Sequence, residues 1–201
     1  MNETPIRDAA TTIVLRKEGV EGPRVLLGQR GQGAVFMPGK FVFPGGAVDD
    51  ADFRAPLRGA LSPICQARLK TEADPALAHA LPVAALRELR EETGLVMEEA
   101  MGLSFVFRAI TPPKFARRFD ARFFLAEASK IAGDLDDFSR AEDELSHLQW
   151  VPLEAARRFD LPFVTRVVLG EVEAALHGPQ PPDHVPFYDH RGPIGSVRNI
   201  R

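Results

Sequence analysis

The sequence predicts one α/β domain built on a mixed β-sheet. Short β-branched and aromatic runs interleave with helical patterns, and the connections between the runs are both long and short, so parallel and antiparallel neighbours are both expected. A chain of 201 residues, 45% hydrophobic and 26% charged, is large enough for one sizeable core.

The elements follow in order. Residues 10–16, ATTIVLR, and 24–29, RVLLGQ, read as strands, and KEGVEGP between them is turn material, giving a hairpin or meander. GQGAVFMPGK, residues 31–40, is a loop punctuated by glycine and proline. It leads into FVFPGGAVDDAD, where a short strand breaks on Pro44, Gly45 and Gly46. Residues 53–81 mix prolines with short helical patterns and carry no strand signal, which reads as an insertion of short helices. From Pro82, a residue suited to a first helical turn, one helix runs past Leu86 and Leu89 to Gly94, suited to a left-handed C-terminal cap. Strands follow at 103–109, 119–126 and 147–151. A last helix covers 162–176, with Phe163, Val164, Val167, Val168 and Val172 on its core side. Residues 178–201 hold too many prolines and glycines for regular structure, and Val185, Phe187 and Tyr188 favour an ordered strap over a mobile tail.

Composition narrows the function. A net charge of −3 gives no global basic field, so no nucleic-acid partner is expected and any anionic ligand must be handled locally. The single cysteine, Cys65, forms no internal disulfide and fits a reducing, cytoplasmic setting. The amino terminus lacks a signal-peptide pattern and no segment reaches about 18 uninterrupted apolar residues, so neither secretion nor a membrane span is expected.

The stretch AALRELREETGLV, residues 84–96, places Glu88, Glu91 and Glu92 within one arc of about 100°, apart from Ala85, Leu86 and Leu89. A solvated charged face is the ordinary explanation for such a helix. Here Glu88 stands i,i+3 and i,i+4 from Glu91 and Glu92, the Arg87 to Glu91 pair runs in the less favourable direction, and two glutamates lie at the negative end of the helix dipole. Together these oppose folding by about 1–3 kcal/mol. A hard divalent cation such as Mg²⁺, which takes carboxylate oxygens and substrate phosphates, reverses the sign.

RELREETGL, Arg87 to Leu95, resembles the second half of the Nudix box, G-x5-E-x7-R-E-U-x-E-E-x-G-U with U aliphatic, and FPGG, Phe43 to Gly46, resembles its start. Two departures stand out. The position six beyond Gly46 is Asp52 instead of glutamate, and 34 residues separate Asp52 from Arg87 where the pattern has 7, so an insertion of 27 splits the box. An interrupted box, together with MPGKFVFPGGAVDDAD and TPPKFARRFDARFFLA, is similar to the coenzyme A diphosphatase-like branch of that family. The resemblance spans residues 10–160. It implies an α/β/α sandwich carrying the helical insertion, with Glu88, Glu92, Glu91 and the Gly46 carbonyl holding Mg²⁺ or Mn²⁺, and Arg87 holding the glutamates in place. It also implies hydrolysis of the diphosphate bond in a nucleoside diphosphate linked to another group. Coenzyme A or acyl-CoA leads the candidates; ADP-ribose, NADH, or a catalytically weak nucleotide sensor are the alternatives. Which of Asp49, Asp50 and Asp52 replaces the missing glutamate stays open.

Other residues complete the candidate list. A general base in this family often comes from a loop outside the box, and AEDELSHLQW supplies Glu144, just before a strand. Arg118 and Arg122 share one face of a strand with Asp120, and Arg30 follows the second strand; these arginines are candidates for holding phosphate, against the alternative of a solvent-facing polar face. His184 and His190 read as structural or solvated, and Trp150 with the phenylalanines at 105, 107, 123 and 124 as core. The insertion and the tail are the segments on which a homodimer would be built.

Overall fold

The computed structural model describes residues 4–19, 22–192 and 194–201. The turn expected at 17–23 therefore lies partly outside the described residues.

Among the described residues nine strands form one mixed sheet. In chain order they are β1 (Ile6–Arg16), β2 (Arg24–Arg30), β3 (Phe41–Val42), β4 (Gly45–Ala47), β5 (Leu103–Ile110), β6 (Arg118–Glu127), β7 (Leu145–Pro152), β8 (Val185–Asp189) and β9 (Ser196–Ile200). The spatial order is β3-β2-β1-β6-β5-β8-β9, with β4 on β1 and β7 on β2. β1 runs parallel to β6, and β5 parallel to β8; the other pairings are antiparallel. The expected hairpin is present, with Leu15 opposite Val25.

Among the described residues four α-helices cover the two faces: α1 (Pro63–Leu69), α2 (Leu77–Thr93), α3 (Leu153–Ala156) and α4 (Phe163–Ala175). The alternation of β1 divides the core, Ala10 and Val14 packing with α1 and α2, Ile13 and Leu15 with α3 and α4. The result is the α/β/α sandwich expected from the sequence. No helix among the described residues is long and apolar enough to cross a membrane.

Four readings change. Helix α2 begins at Leu77, so Pro82 lies inside it and the end of the expected insertion is its first turn. A proline there removes one backbone donor; burial of Leu77, Ala80, Leu81, Val83, Ala84, Ala85 and Leu89 outweighs the loss. Gly45–Ala47, read as a break, pairs with Ala9–Thr11 as a strand. Phe163 is 72% exposed, because the buried side of α4 is Thr165, Val168, Leu169 and Val172. The proline-rich carboxy-terminal segment is a regular hairpin, β8 against β9, added to the sheet edge through Arg108 opposite Phe187. It is the ordered strap, with Val185 and Phe187 buried.

Candidate active site

The two halves of the split motif meet. Thr12 of β1 donates its hydroxyl to the Ala85 carbonyl at 3.0 Å, fixing α2 over the strand that carries β4. Gly94 ends the helix in the left-handed conformation, φ 74°, as its sequence position predicted. The approach of β4 to α2 then requires glycine twice. Gly45 has φ 157° and a side chain there would strike the Ala10 carbonyl; a methyl on Gly46 would stand 2.3 Å from Glu88 Oε1.

Glu88 and Glu92 are buried by this contact, which makes them costlier than the exposed helix face allowed for in the sequence argument. Glu92 is 2% exposed. Its Oε2 accepts from the Gly45 backbone N–H at 2.7 Å, while its Oε1 is buried with no partner among the described residues. Burial pushes the Glu92 carboxyl up to about 8, with Glu88 and Glu144 adding to the rise. Glu88 is likewise raised by burial, opposed by Arg87.

Arg87 organises the cluster. Its Nη1 donates to Glu88 Oε1 at 2.8 Å and to Glu91 Oε2 at 3.0 Å, and its Nη2 donates to the Ala47 carbonyl at 3.0 Å. Asp52, only 1% exposed, grips the other edge of the guanidinium, accepting from Nε at 3.0 Å and Nη2 at 2.9 Å. This fork, first among its causes, holds Arg87 firmly protonated. Of the three nearby acids it is Asp52 that faces Arg87 at hydrogen-bond distance, whereas Asp49 stands 3.8 Å away. Sequence reasoning singled out the position without its partner, because the arginine arrives from 35 residues further on.

Glu144 and Arg30 also reach the site. Arg30 Nη2 donates to Glu144 Oε1 at 2.8 Å across β2 and β7, where Arg30 lies opposite Leu145. The Glu142 N–H donates to the Glu91 carbonyl at 2.7 Å, tying that loop to the end of α2. Both residues act electrostatically on Glu92: Glu144 raises its carboxyl and Arg30 lowers it.

Arg118 and Arg122 are placed elsewhere. They are buried beneath the insertion and the carboxy-terminal hairpin, neither open to solvent nor brought to the glutamates. Arg122 pairs with Asp8 and Asp120, and Arg118 donates to the Thr111 and His190 carbonyls. Asp120 in turn takes a forked pair from Arg108, which also donates to the Thr71 and Glu72 carbonyls of the insertion.

Among the described residues no three His, Cys, Asp or Glu side chains form a ready-made metal cluster. Arg87 instead shares the oxygens of Glu88 and Glu91. The donor set nevertheless fits a hard divalent cation: carboxylate oxygens alone, one of them buried and unpartnered, in carboxyls that burial holds above their ordinary range. What the cluster can do chemically is bind positive charge and, through it, phosphate.

Comparison with known proteins agrees. A sequence model of the NUDIX domain matches residues 77–170. No curated protein sequence matches the chain. A NUDIX hydrolase from Alicyclobacillus acidocaldarius superposes with a TM-score of 0.66 at 25% identity, over 83% of this chain and 90% of that one. The NUDIX domain of Shewanella oneidensis NrtR, complexed with ADP ribose, gives 0.55 at 15%, over 86% and 90%. A C. elegans Ap4A hydrolase gives 0.56 at 19%, over 85% and 98%. The last two show likeness of fold. With the motif, the site geometry and the matched residues together, residues 77–170 of this chain are similar to the NUDIX domain, and the comparisons support a hydrolase of pyrophosphate bonds.

Proposed function

We propose that the protein is a Mg²⁺-dependent diphosphatase acting on a nucleoside diphosphate linked to a second group, with coenzyme A or its acyl thioesters as the first candidates and Mn²⁺ as an alternative metal. The observation that carries this reading is Glu92: a buried carboxylate with one oxygen on the Gly45 N–H and the other unpartnered, beside Glu88. Glu88, Glu91 and Glu92 with the Gly46 carbonyl would hold the ion. When bound, a divalent ion neutralises phosphate charge and makes a bound water more acidic.

The remaining roles fall to the chain's own side chains. Arg87, held by Asp52, orients Glu88 and Glu91. Glu144, whose Oε1 accepts from Arg30, is the candidate general base, and Arg30 is also placed to meet a phosphate. Arg118 and Arg122, engaged by carboxylates and carbonyls, hold the fold instead of substrate. ADP-ribose is the second reading, favoured by the likeness to the NrtR domain complexed with ADP ribose; NADH belongs with it. A weak nucleotide sensor is disfavoured by the intact Glu88, Glu91 and Glu92. Cytoplasmic residence fits the lone buried thiol of Cys65, and homodimer formation is open to light scattering.

The test is a panel of CoA, acyl-CoA, ADP-ribose, NADH, dinucleoside polyphosphates and oxidised dNTPs with Mg²⁺ or Mn²⁺. Release of a phosphate monoester from CoA ahead of the others supports the leading assignment. Preference for ADP-ribose transfers it to the second reading, and no product from any member overturns the proposal.

A further inference from the structure

Arg30 and Glu144 meet through one hydrogen bond, Nη2 to Oε1 at 2.8 Å, and that bond uses half of what the guanidinium offers. The edge formed by Nε and Nη2 is the fork that suits an acceptor with two oxygens. Arg87 gives this edge to both oxygens of Asp52, and Arg108 gives it to both oxygens of Asp120. In Arg30 the Nε is buried and has no partner among the described residues, so one prong of the fork is idle. At the same site the Glu92 Oε1 is an idle acceptor. The acceptor is suited to a cation, and the donor to an anionic oxygen.

The backbone holds both partners in place. The Arg30 N–H donates to the Lys40 carbonyl, and the Arg30 carbonyl accepts from the Gly39 N–H. Glu144 stands where β7 begins, beside a bulge: Leu27 and Gln29 are two steps apart on β2, while their partners Gln149 and Ser146 are three steps apart on β7. His147, inside the longer span, is left-handed with φ 50°, a conformation that a non-glycine residue keeps when its surroundings impose it. Such bulges re-aim the side chains beside them. On the other side of Glu144, the Glu142 N–H is tied to the Glu91 carbonyl at 2.7 Å. With both backbones fixed, it is the side chains that can part. Glu144 is the freer of the two, its side chain 56% exposed against 17% for Arg30.

We infer that a phosphate of the substrate displaces Glu144 from the Nε and Nη2 edge of Arg30, so that substrate binding itself releases the Glu144 carboxylate toward the glutamates of α2. The inference rests on the proposed diphosphatase reading and on its placing of Arg30 and Glu144. The relative strengths favour the exchange. A single, partly exposed ion pair contributes little, because water solvates the released carboxylate, whereas a phosphate takes both prongs of the fork in charge-assisted bonds. Glu144 already lies near enough to Glu88 and Glu92 to raise both carboxyls. Before substrate arrives, Arg30 keeps this carboxylate occupied; afterwards Arg30 holds phosphate and the carboxylate is free to accept. Arg30 is thus a positioning residue for Glu144 as well as a contact for phosphate.

The experiment is a double-mutant cycle read by calorimetry, in which the methylene-bridged analogue of ADP, resistant to hydrolysis at the bridge, is titrated into the protein with Mg²⁺. Glu144→Gln should tighten binding about fivefold because the competitor for Arg30 is gone, and Arg30→Gln should weaken it about tenfold to a hundredfold. With Arg30→Gln in place, Glu144→Gln should change affinity by less than about twofold. The same gain in both backgrounds would make Glu144 a nearby charge that repels phosphate, and weaker binding in Glu144→Gln would make it a ligand of the metal or the analogue. Either result overturns the exchange and leaves the diphosphatase reading standing. Arg30→Lys keeps the charge without the fork, so it should bind nearly as weakly as Arg30→Gln; native affinity in Arg30→Lys overturns the two-pronged contact. Failure of the unaltered protein to bind the analogue at all would remove the diphosphatase reading as well.

Discussion

Two clusters of charge lie on the α2 face of the same sheet and behave oppositely. Beneath the insertion and the carboxy-terminal hairpin, Asp8, Glu72, Asp120 and Asp189 are matched by Arg108, Arg122, Arg191 and Arg198. The acids there are driven down: hydrogen bonds from Arg198 and then Arg191 lower Glu72 to about 2, and Arg191 lowers Asp189 further. At the end of α2, among the described residues, Asp52, Glu88, Glu91, Glu92 and Glu144 face only the cations Arg87 and Arg30 at bonding distance, and Glu88 and Glu92 are driven up. A balanced network holds the chain together, whereas the unbalanced one leaves carboxylates in excess, as the proposed cation site requires. The contrast separates the arginines that balance acids from those that leave acids in excess better than residue type does.

The largest expected effects come from removing, in either cluster, a guanidinium that forks onto a buried carboxylate. Arg108→Ala leaves Asp120 buried without its forked partner and should cost about 3–5 kcal/mol of stability, with turnover per folded molecule unchanged. Arg87→Ala should cost a similar amount through Asp52 and also abolish most turnover. Chemical denaturation with kinetics on the folded fraction separates the two, and equal turnover losses would erase the distinction. Next, Glu144→Gln should lower kcat by on the order of 10²-fold while leaving denaturation unchanged, if the carboxylate is the base. Near-native turnover would remove it from the chemistry.

Smaller effects appear in pH dependence of the metal-free protein. Glu92 has a folded value near 8, above the ordinary 4.5, so the folded state binds the extra proton. Its contribution to stability is therefore complete below about pH 4.5 and is lost as pH rises through 8. Glu72, held near 2, contributes in the opposite sense, fully above 4.5 and decreasingly as pH falls toward 2. Glu72 is substantially exposed, so Glu72→Gln should cost under about 1 kcal/mol at neutral pH. Melting curves of Glu92→Gln and Glu72→Gln across pH 3–9 should flatten opposite limbs of the profile.

This contrast also explains what the sequence made legible. Glu88, Glu91, Glu92 and Gly94 are related by helical spacing, so their shared face and their cap could be read from a few residues. Gly45 and Gly46, read as a break, are instead the strand that meets the glutamates, a pairing set by tertiary contact. The identity of an ion-pair partner is set by tertiary contact, and so Asp52 with Arg87, or Arg122 with Asp8, could not be paired from the chain alone. Strand alternation correctly put Arg118, Asp120 and Arg122 on one face; only the arrival of Thr71, Glu72 and His190 showed that the face is buried. Pro82 and the proline-rich hairpin misled for a related reason, since packing of Leu81 or Phe187 overrides a local preference.

The most direct measurement is a Mg²⁺ titration of thermal stability in the unaltered protein and in Glu92→Gln, at pH 7.5 and fixed ionic strength. The account predicts a saturable rise in Tm for the unaltered protein, and in Glu92→Gln a higher metal-free Tm with the Mg²⁺ response lost. The same rise in both proteins, or none in either, would contradict the claim that the unbalanced carboxylates at the end of α2 are built for a cation.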